Sequence, residues 1–307
     1  MKRTSTEAAK TVKAIPKWTV QQAYPIEQHP LKVNVWFALT QKLNGVRATY
    51  YNGKLYARSG VPYEGLDHIT DVLAGENFQG LVFDGELTLL DKGGLTDNEA
   101  FRKATGIVRS QNEDKTCIRF TIFDVIDANE FEGDKCLMTY KKRRAILDEA
   151  AAFLHEDGPV KVLPVLYAGT DQSKIPELLE QMVREDKEGL MVNLDVPYKR
   201  KRHNGILKVK RFYTMDLPII ACEEGSGRLA GTLGAFVLDY KGNQVRVGSG
   251  FSEEQRMEYW NRSDELTGML CEVKYKEVSC NKATGEESLQ FPIFVSLRTD
   301  KNDISYG

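Results

Sequence analysis

Several things are scarce in this 307-residue chain, and each scarcity narrows what it can be. The five cysteines, Cys117, Cys136, Cys222, Cys271 and Cys280, are odd in number and contain no C-x-x-C pair. That argues against a disulfide framework and a zinc knuckle. The four histidines are scattered. No stretch approaches the roughly 18 consecutive apolar residues of a membrane span, and the start, MKRTSTEAAKTVKAIPKW, lacks the apolar core of a secretion signal. The expectation is a soluble, intracellular and cytoplasmic protein, a monomer with no membrane partner. No tract is of low complexity and no repeat recurs at solenoid spacing. Neither sign of charge prevails, with 42 Lys+Arg against 44 Asp+Glu. Net charge therefore neither announces nor excludes a polyanionic partner, and local clustering decides.

What is present is the make-up of an ordinary globular protein, 41% hydrophobic and 28% charged. Single domains usually hold roughly 100 to 200 residues, so two cores are expected. Alternating apolar residues around Asn52-Gly53, VRATYY-NG-KLYARS, predict a hairpin with a type I′ turn and place Lys42 just before it. LVFDGELTLL (81–90) and CIRFTIFDVID (117–127) read as strands, and Thr96 with Glu99 makes a capping box for a helix through about Val108. Thr139 is the expected cap of a helix, YKKRRAILDEAAAFLHE. Strand, helix and strand follow in VKVLPVLY, SKIPELLEQMVRED and GLMVNLD. From about Leu217 the texture changes to short strands with Gly-rich turns and one helix, SEEQRMEYWNRSDEL, which suit a small closed barrel such as an OB-fold. The boundary is placed near Thr214. The segment GSGRLAG (225–231) has neither G-K-[ST] nor a following helix, so it reads as a barrel turn and not a phosphate loop.

Taken singly, a lysine in KLNG is a solvated side chain near a turn, and the acids of FDGEL and EGLMV are edge charges or loop anchors. Their order carries more. KLNGVR, FDGEL, FDVI, EGLMV and LKVKRF, with SLQFPIFVSLRTDK near the C-terminus, resemble motifs I, III, IIIa, IV, V and VI of the covalent nucleotidyltransferases. That superfamily holds the ATP-dependent DNA ligases, RNA ligases and mRNA capping enzymes. The resemblance runs from about residue 38 to 301. With YKEVSCNKATGEESLQFPIFVSLRTDK and the GSGF before the barrel helix, it is strongest to DNA ligases of the minimal two-domain kind found in viruses, phages and some bacteria.

This resemblance implies an α+β fold: a nucleotidyltransferase domain of ATP-grasp-like antiparallel sheets with helices over 1–214, then an OB-fold β-barrel over 215–307. It implies that Lys42 becomes lysyl-AMP, that AMP passes to the 5′-phosphate of nicked double-stranded DNA, and that the 3′-hydroxyl displaces AMP. Lys208 and Lys210 would share the catalytic work. Gln41, Asn44, Arg47, Glu86, Phe123, Met191 and Arg298 would contact ATP or its AMP, with Phe123 and Met191 covering the two faces of adenine. Glu188 and Glu86 would hold Mg2+, with Mn2+ as a substitute. Arg58 would meet the nick phosphate, and Arg298, with Asp300 and Lys301, would serve the first step.

The chemistry explains why such residues are needed. A free lysine has a pKa of roughly 10.4, so Lys42 is a poor nucleophile until cationic neighbours and desolvation favour the neutral amine. The same cations would stabilise charge on the α-phosphate as pyrophosphate leaves. Between residues 197 and 214 there are seven Lys/Arg and no acid, YKRKRHNGILKVKRFY, and Lys199, Arg200, Lys201 and Arg202 are read as a track for the DNA backbone. With 41 residues before Lys42 and an end at motif VI, ATP is favoured over a nicotinamide cofactor. The alternatives are an RNA or RNA/DNA-hybrid ligase and, more distantly, a noncatalytic nucleic-acid-binding protein on a ligase scaffold. Only Asn44 supports the last, since the family's usual K-x-D-G has aspartate there and asparagine is neither a base nor a strong metal ligand.

Overall fold

In this computed structural model the described residues are 18–280, 284–300 and 303–306. The chain divides into two compact units, Met1–Lys210 and Arg211–Gly307.

The first unit is built on two five-stranded sheets. In one, the strand order is Gln22–Pro25, Arg202–Lys210, Gly189–Leu194, Phe37–Gln41 and Val165–Gly169. In the other it is Lys54–Ala57, Val46–Tyr51, Leu81–Leu89, Ile118–Asp127 and Val160–Val162. The expected antiparallel pairing holds in the interior, but each sheet has one parallel edge, Gln22–Pro25 on Arg202–Lys210 and Val160–Val162 on Ile118–Asp127. The hairpin forms as expected, with Asn52 and Gly53 both at positive φ, 48° and 78°, as a type I′ turn requires.

Alternation along the strands sorts each sheet into a core face and an open face. In the first sheet Phe37, Leu39, Leu190, Val192, Leu207 and Val209 pack with Ile175 and Met182 of the helix Lys174–Arg184. In the second, Ala48, Tyr50, Phe83, Leu87, Phe120 and Ile122 pack with residues of the helices Asp67–Leu73, Asp97–Arg109 and Tyr140–Ala151. Residues that alternate with them, Met191 and Lys208 in one sheet and Arg47, Glu86 and Phe123 in the other, are left for the opposite faces.

Three expectations need correction. VKVLPVLY is two strands and not one, because Pro164 cannot donate to a ladder: Val160–Val162 joins the second sheet and Val165–Gly169 the first. The capping box of Thr96 and Glu99 forms, but the Thr139 side chain makes no cap, and the backbone N–H of Lys141 donates instead to Asp195 at 3.0 Å. That helix stops at Ala151. SEEQRMEYWNRSDEL contains two helices, Glu253–Asn261 and Ser263–Leu266, the first closed by a Ser252/Gln255 capping box.

The second unit is an antiparallel sheet ordered Asn243–Val247, Leu233–Tyr240, Tyr213–Glu224, Leu270–Tyr275 and Ile293–Arg298, with a separate ribbon of Val278–Cys280 and Glu287–Leu289. Its core holds Leu217, Phe236, Leu238, Val273, Tyr259 and Phe294. Residues 225–231 form a turn with a short 3-10 helix, Gly227–Leu229.

Candidate active site

Lys42 follows directly on the strand Phe37–Gln41, and its backbone N–H extends the ladder by donating to the carbonyl of Gly189 at 2.8 Å. This fixes the root of the side chain next to Glu188. The Glu188 carboxylate accepts from two ammonium groups, Oε2 from Lys42 Nζ and Oε1 from Lys210 Nζ. Burial works against the ionised Glu188 carboxyl, but the two lysines outweigh it and hold its pKa below the ordinary value. Lys208, two residues before Lys210 and on the same strand face, has its pKa lowered by burial and by the positive charges of Lys210, Arg202 and Lys42.

Beside this clasp lies a cavity of about 270 Å³. Lys42, Lys208, Gln41 and Met191 enter it from the first sheet, and Arg47, Glu86, Phe123 and Arg58 from the second sheet and its hairpin. The open faces of both sheets therefore supply the walls. Burial pushes the Glu86 carboxyl up to about 7 against the pull of Arg47 and Lys42. Gly45 makes the approach possible: a Cβ there would stand 2.5 Å from the Leu87 carbonyl oxygen and 2.6 Å from Glu86 Cγ.

Arg47 is the most constrained member. Its guanidinium donates to Asp84 through Nε at 2.6 Å and Nη2 at 2.5 Å, and its Cζ sits 4.6 Å from the centre of the Phe123 ring. Burial disfavours its charge, yet Asp84 more than compensates and its pKa is raised. Asp84 also accepts from the Tyr198 hydroxyl at 2.6 Å, and that hydroxyl accepts from the backbone N–H of Gln21 at 3.0 Å. Gln21 lines the cavity, and its Oε1 accepts from His203 Nε2 at 2.8 Å. Sequence reasoning missed Gln21, Asn193, Asp84 and Tyr198. Asp84 carried a signal, being an acid inside the otherwise apolar strand that was quoted for Glu86.

Other expected residues lie elsewhere. Asn44 is absent from the walls of this cavity; its amide donates to Asn98 Oδ1 at 3.0 Å, and it lines a second cavity on the other side of the Lys42 segment. Arg200 does not belong to a DNA track: its guanidinium turns inward, donates to the carbonyls of Phe131 at 2.9 Å and Thr19 at 3.2 Å, and stacks on the Phe131 ring. Lys199 and Lys201 are exposed on either side of it, and Arg202 reaches the cavity wall. Arg298 belongs to the second unit, where Asp300, Asp216 and Glu272 surround its guanidinium. Lys301 lies outside the described residues.

The comparison with known proteins follows the same division of the chain. Residues 21–210 match the ATP dependent DNA ligase domain, which is more than half of the chain, and residues 224–298 match the DNA ligase OB-like domain. The chain belongs to the ATP-dependent DNA ligase family. Among relatives, the DNA ligase of Haemophilus influenzae is 27% identical over 225 residues, 72% of this chain and 75% of that protein. The DNA ligase of Thermococcus onnurineus is 26% identical over 324 residues, 96% of this chain but 54% of that longer protein. The ligase named Pmar-Lig_Pre superposes with a TM-score of 0.76 at 25% identity, covering 93% of this chain and 69% of the other. A Lig E DNA ligase shares the fold, with a TM-score of 0.64 at 21% identity over 91% of this chain and 99% of its own. As a ligase-family member the chain is expected to use ATP, and no helix among the described residues is long and apolar enough to cross a membrane.

Proposed function

We propose that this chain, as a monomer inside the cell, seals nicks in duplex DNA through a Lys42–AMP intermediate. The observation that carries the reading is the clasp of Lys42 and Lys210 on Glu188 at the mouth of a cavity walled by Glu86, Phe123, Met191 and Lys208. Adenine suits the cavity lined by Phe123 and Met191, with the Arg47 guanidinium steadying the Phe123 ring. Lys42 Nζ then forms a bond to the α-phosphorus of ATP as the bond to the β-phosphate oxygen breaks and pyrophosphate leaves.

In the free protein Glu188 holds Lys42 as an ammonium. Attack therefore requires Lys42 to leave that pair and lose a proton to water, while Lys208 and Lys210 stay to face the negative charge that builds on the phosphates. In the later steps the 5′-phosphate oxygen of the nick takes AMP from Lys42, and the 3′-hydroxyl attacks that phosphorus with AMP as leaving group. Arg58 on the cavity rim, with Lys199, Lys201 and Arg202, would hold phosphates at that nick.

Among the described residues no three His, Cys, Asp or Glu side chains cluster as a metal cage. The donor set fits Mg2+ held mainly by water and the triphosphate, an ion that commonly takes only one or two carboxylates from its protein, here Glu86 and Glu188. Such an ion would supply positive charge to the phosphates.

Intact mass spectrometry after incubation with ATP and Mg2+ tests the reading. One adenylyl group is expected on the wild type, none on Lys42→Ala, and the group should be lost on adding nicked duplex DNA. An adduct of equal yield in Lys42→Ala defeats the assignment. Preference for nicked DNA over nicked RNA and RNA on a DNA splint is expected in a parallel sealing assay.

A further inference from the structure

The sheet face that carries Glu86 and Phe123 continues past them. On the strand Ile118–Asp127, Arg119 and Thr121 alternate with the core residues Ile118, Phe120 and Ile122 and so share the face of Phe123. Thr88 is the partner of Arg119 across the ladder, and Lys161 is the partner of Thr121. With Lys92, Asp97 and Lys187 they line the second cavity, of about 310 Å³. Both cavities have Gln41 and Leu43 in their walls, so they flank the segment that bears Lys42.

Two kinds of group in this second cavity want partners. Lys92, Arg119, Lys161 and Lys187 converge on it; among the described residues none of them forms an ion pair within 4.0 Å, and Arg119 is held only by a bond from Nε to the Gly158 carbonyl at 3.0 Å. Burial and the charges of Arg119 and Lys187 lower the pKa of Lys161, as happens where like charges crowd; the cavity's carboxylates, Asp91 and Asp97, are fewer than its four cations. Thr121, only 1% exposed, has a hydroxyl with no hydrogen-bond partner among the described residues. A buried hydroxyl of this kind is costly unless something pairs with it. The second kind is an acceptor: Asp97 buries Oδ2 without a partner, while its carboxylate is hydrogen-bonded by Asn44. Phosphate alone would suit the cations and Thr121 but would face the Asp97 carboxylate. A ligand with both phosphates and a free hydroxyl answers all of them.

We propose that the second cavity seats the hydroxyl-bearing end of the strand to be joined. Its backbone phosphates lie against Arg119, Lys161 and Lys187, Thr121 donates to a phosphate oxygen, and the terminal sugar hydroxyl donates to Asp97 Oδ2. The proposal rests on the nick-sealing reading above and names where one of the two strands enters.

The test starts from protein already adenylylated on Lys42, as wild type, Thr121→Val, Lys161→Gln and Asp97→Asn. Fluorescence anisotropy measures binding to a complete nick and to the same duplex lacking its 3′-hydroxyl strand. Lys161→Gln should weaken binding to the complete nick about tenfold and lower the salt slope by about 0.9. Binding to the shortened duplex should not change. The near-isosteric Thr121→Val should give a smaller loss of the same kind. Asp97→Asn should slow sealing of a nick that already carries AMP. All three variants should still adenylylate Lys42, which separates failure here from failure of the nick-sealing reading, where the wild type itself takes no AMP. Equal losses on the two duplexes, or no loss on either, overturn the proposal. So does a Lys161→Gln defect confined to the removal of AMP by added pyrophosphate, which would make the cavity a pyrophosphate site.

Discussion

Acid should unfold this protein earlier than its carboxylates alone require, because of His203. The imidazole is 7% exposed and in one definite tautomer: Nδ1 accepts from the backbone N–H of Gly205 at 3.1 Å, so the proton is on Nε2, which donates to Gln21 at 2.8 Å. A second proton would have to go on Nδ1, facing another donor. Burial, followed by the charges of Lys199, Arg143 and Lys201, lowers its pKa from 6.5 to about 4. In the unfolded chain the ring protonates near 6.5, so between the two values the unfolded state binds more protons, and stability falls as pH falls. At about 1.4 kcal/mol per pH unit at most, the loss is about 2 kcal/mol between pH 7.5 and pH 5 and about 3 kcal/mol by pH 4. Carboxylates contribute a background, so the measurement is a difference. Urea midpoints of wild type and His203→Gln are taken from pH 8 to pH 4.5. The glutamine, which never charges, costs packing at pH 8, and its deficit should shrink by about 2 kcal/mol at pH 5. Because the folded imidazole stays neutral down to about pH 4, its bond to Gln21 is kept, and His203 should add no difference in the KM for ATP between wild type and variant from pH 8 to pH 5 beyond a constant offset. Parallel loss of stability in the two proteins would refute the reasoning.

Two further substitutions probe the walls of the cavities. Gly45→Ala would set a methyl 2.5 Å from the backbone oxygen of Leu87, which cannot swing aside; a loss of about 1–3 kcal/mol in urea unfolding is expected, with weaker ATP binding, and a neutral result would show the two strands to be more loosely opposed. Asn44→Asp restores the residue usual in motif I but takes the donor from Asn98 and sets a second carboxylate beside Asp97; about 1–2 kcal/mol should be lost at pH 8 and partly regained at pH 5, and a stability gain at pH 8 would contradict the placement of Asn44.

Local patterns in the sequence were enough for the elements whose own residues decide them. The Asn52-Gly53 turn and the Thr96/Glu99 box are such cases, since the groups that satisfy the backbone are within a few residues. VKVLPVLY failed because its two halves are claimed by different sheets, and no periodicity within eight residues records that. Thr139 failed for a similar reason: a residue 56 positions away, Asp195, supplies the cap. Among site residues, Lys42, Glu86, Phe123, Met191 and Lys208 sit where alternation puts them on the open strand faces. Gln21 could not be found that way, because its place depends on a parallel edge pairing with a strand about 180 residues later and on His203 and Tyr198 from that distant part of the chain.

Arg200 and Asn44 show the same physical point from opposite sides. The run KRKR looks like one basic surface, yet the chain entering the strand Arg202–Lys210 alternates, so Lys199 and Lys201 face water while Arg200 is buried against Phe131. A run of like charges is therefore a set of positions, and only some of them can reach a phosphate. Asn44 is two residues after Lys42, but the turn toward Gly45 puts it on the other side of the Lys42 segment, in the cavity with Asp97. Burial has already raised the pKa of Asp97, with Asp186 adding to it and Lys187 and Lys92 opposing it. A charged residue at 44 would push it further, whereas an amide donates to it. The missing motif I carboxylate thus has an electrostatic reason in this chain: Asp91 and Asp97 already line the cavity on that side of the lysine, and an asparagine at 44 lowers the pKa of Asp97 by a hydrogen bond where a carboxylate would raise it.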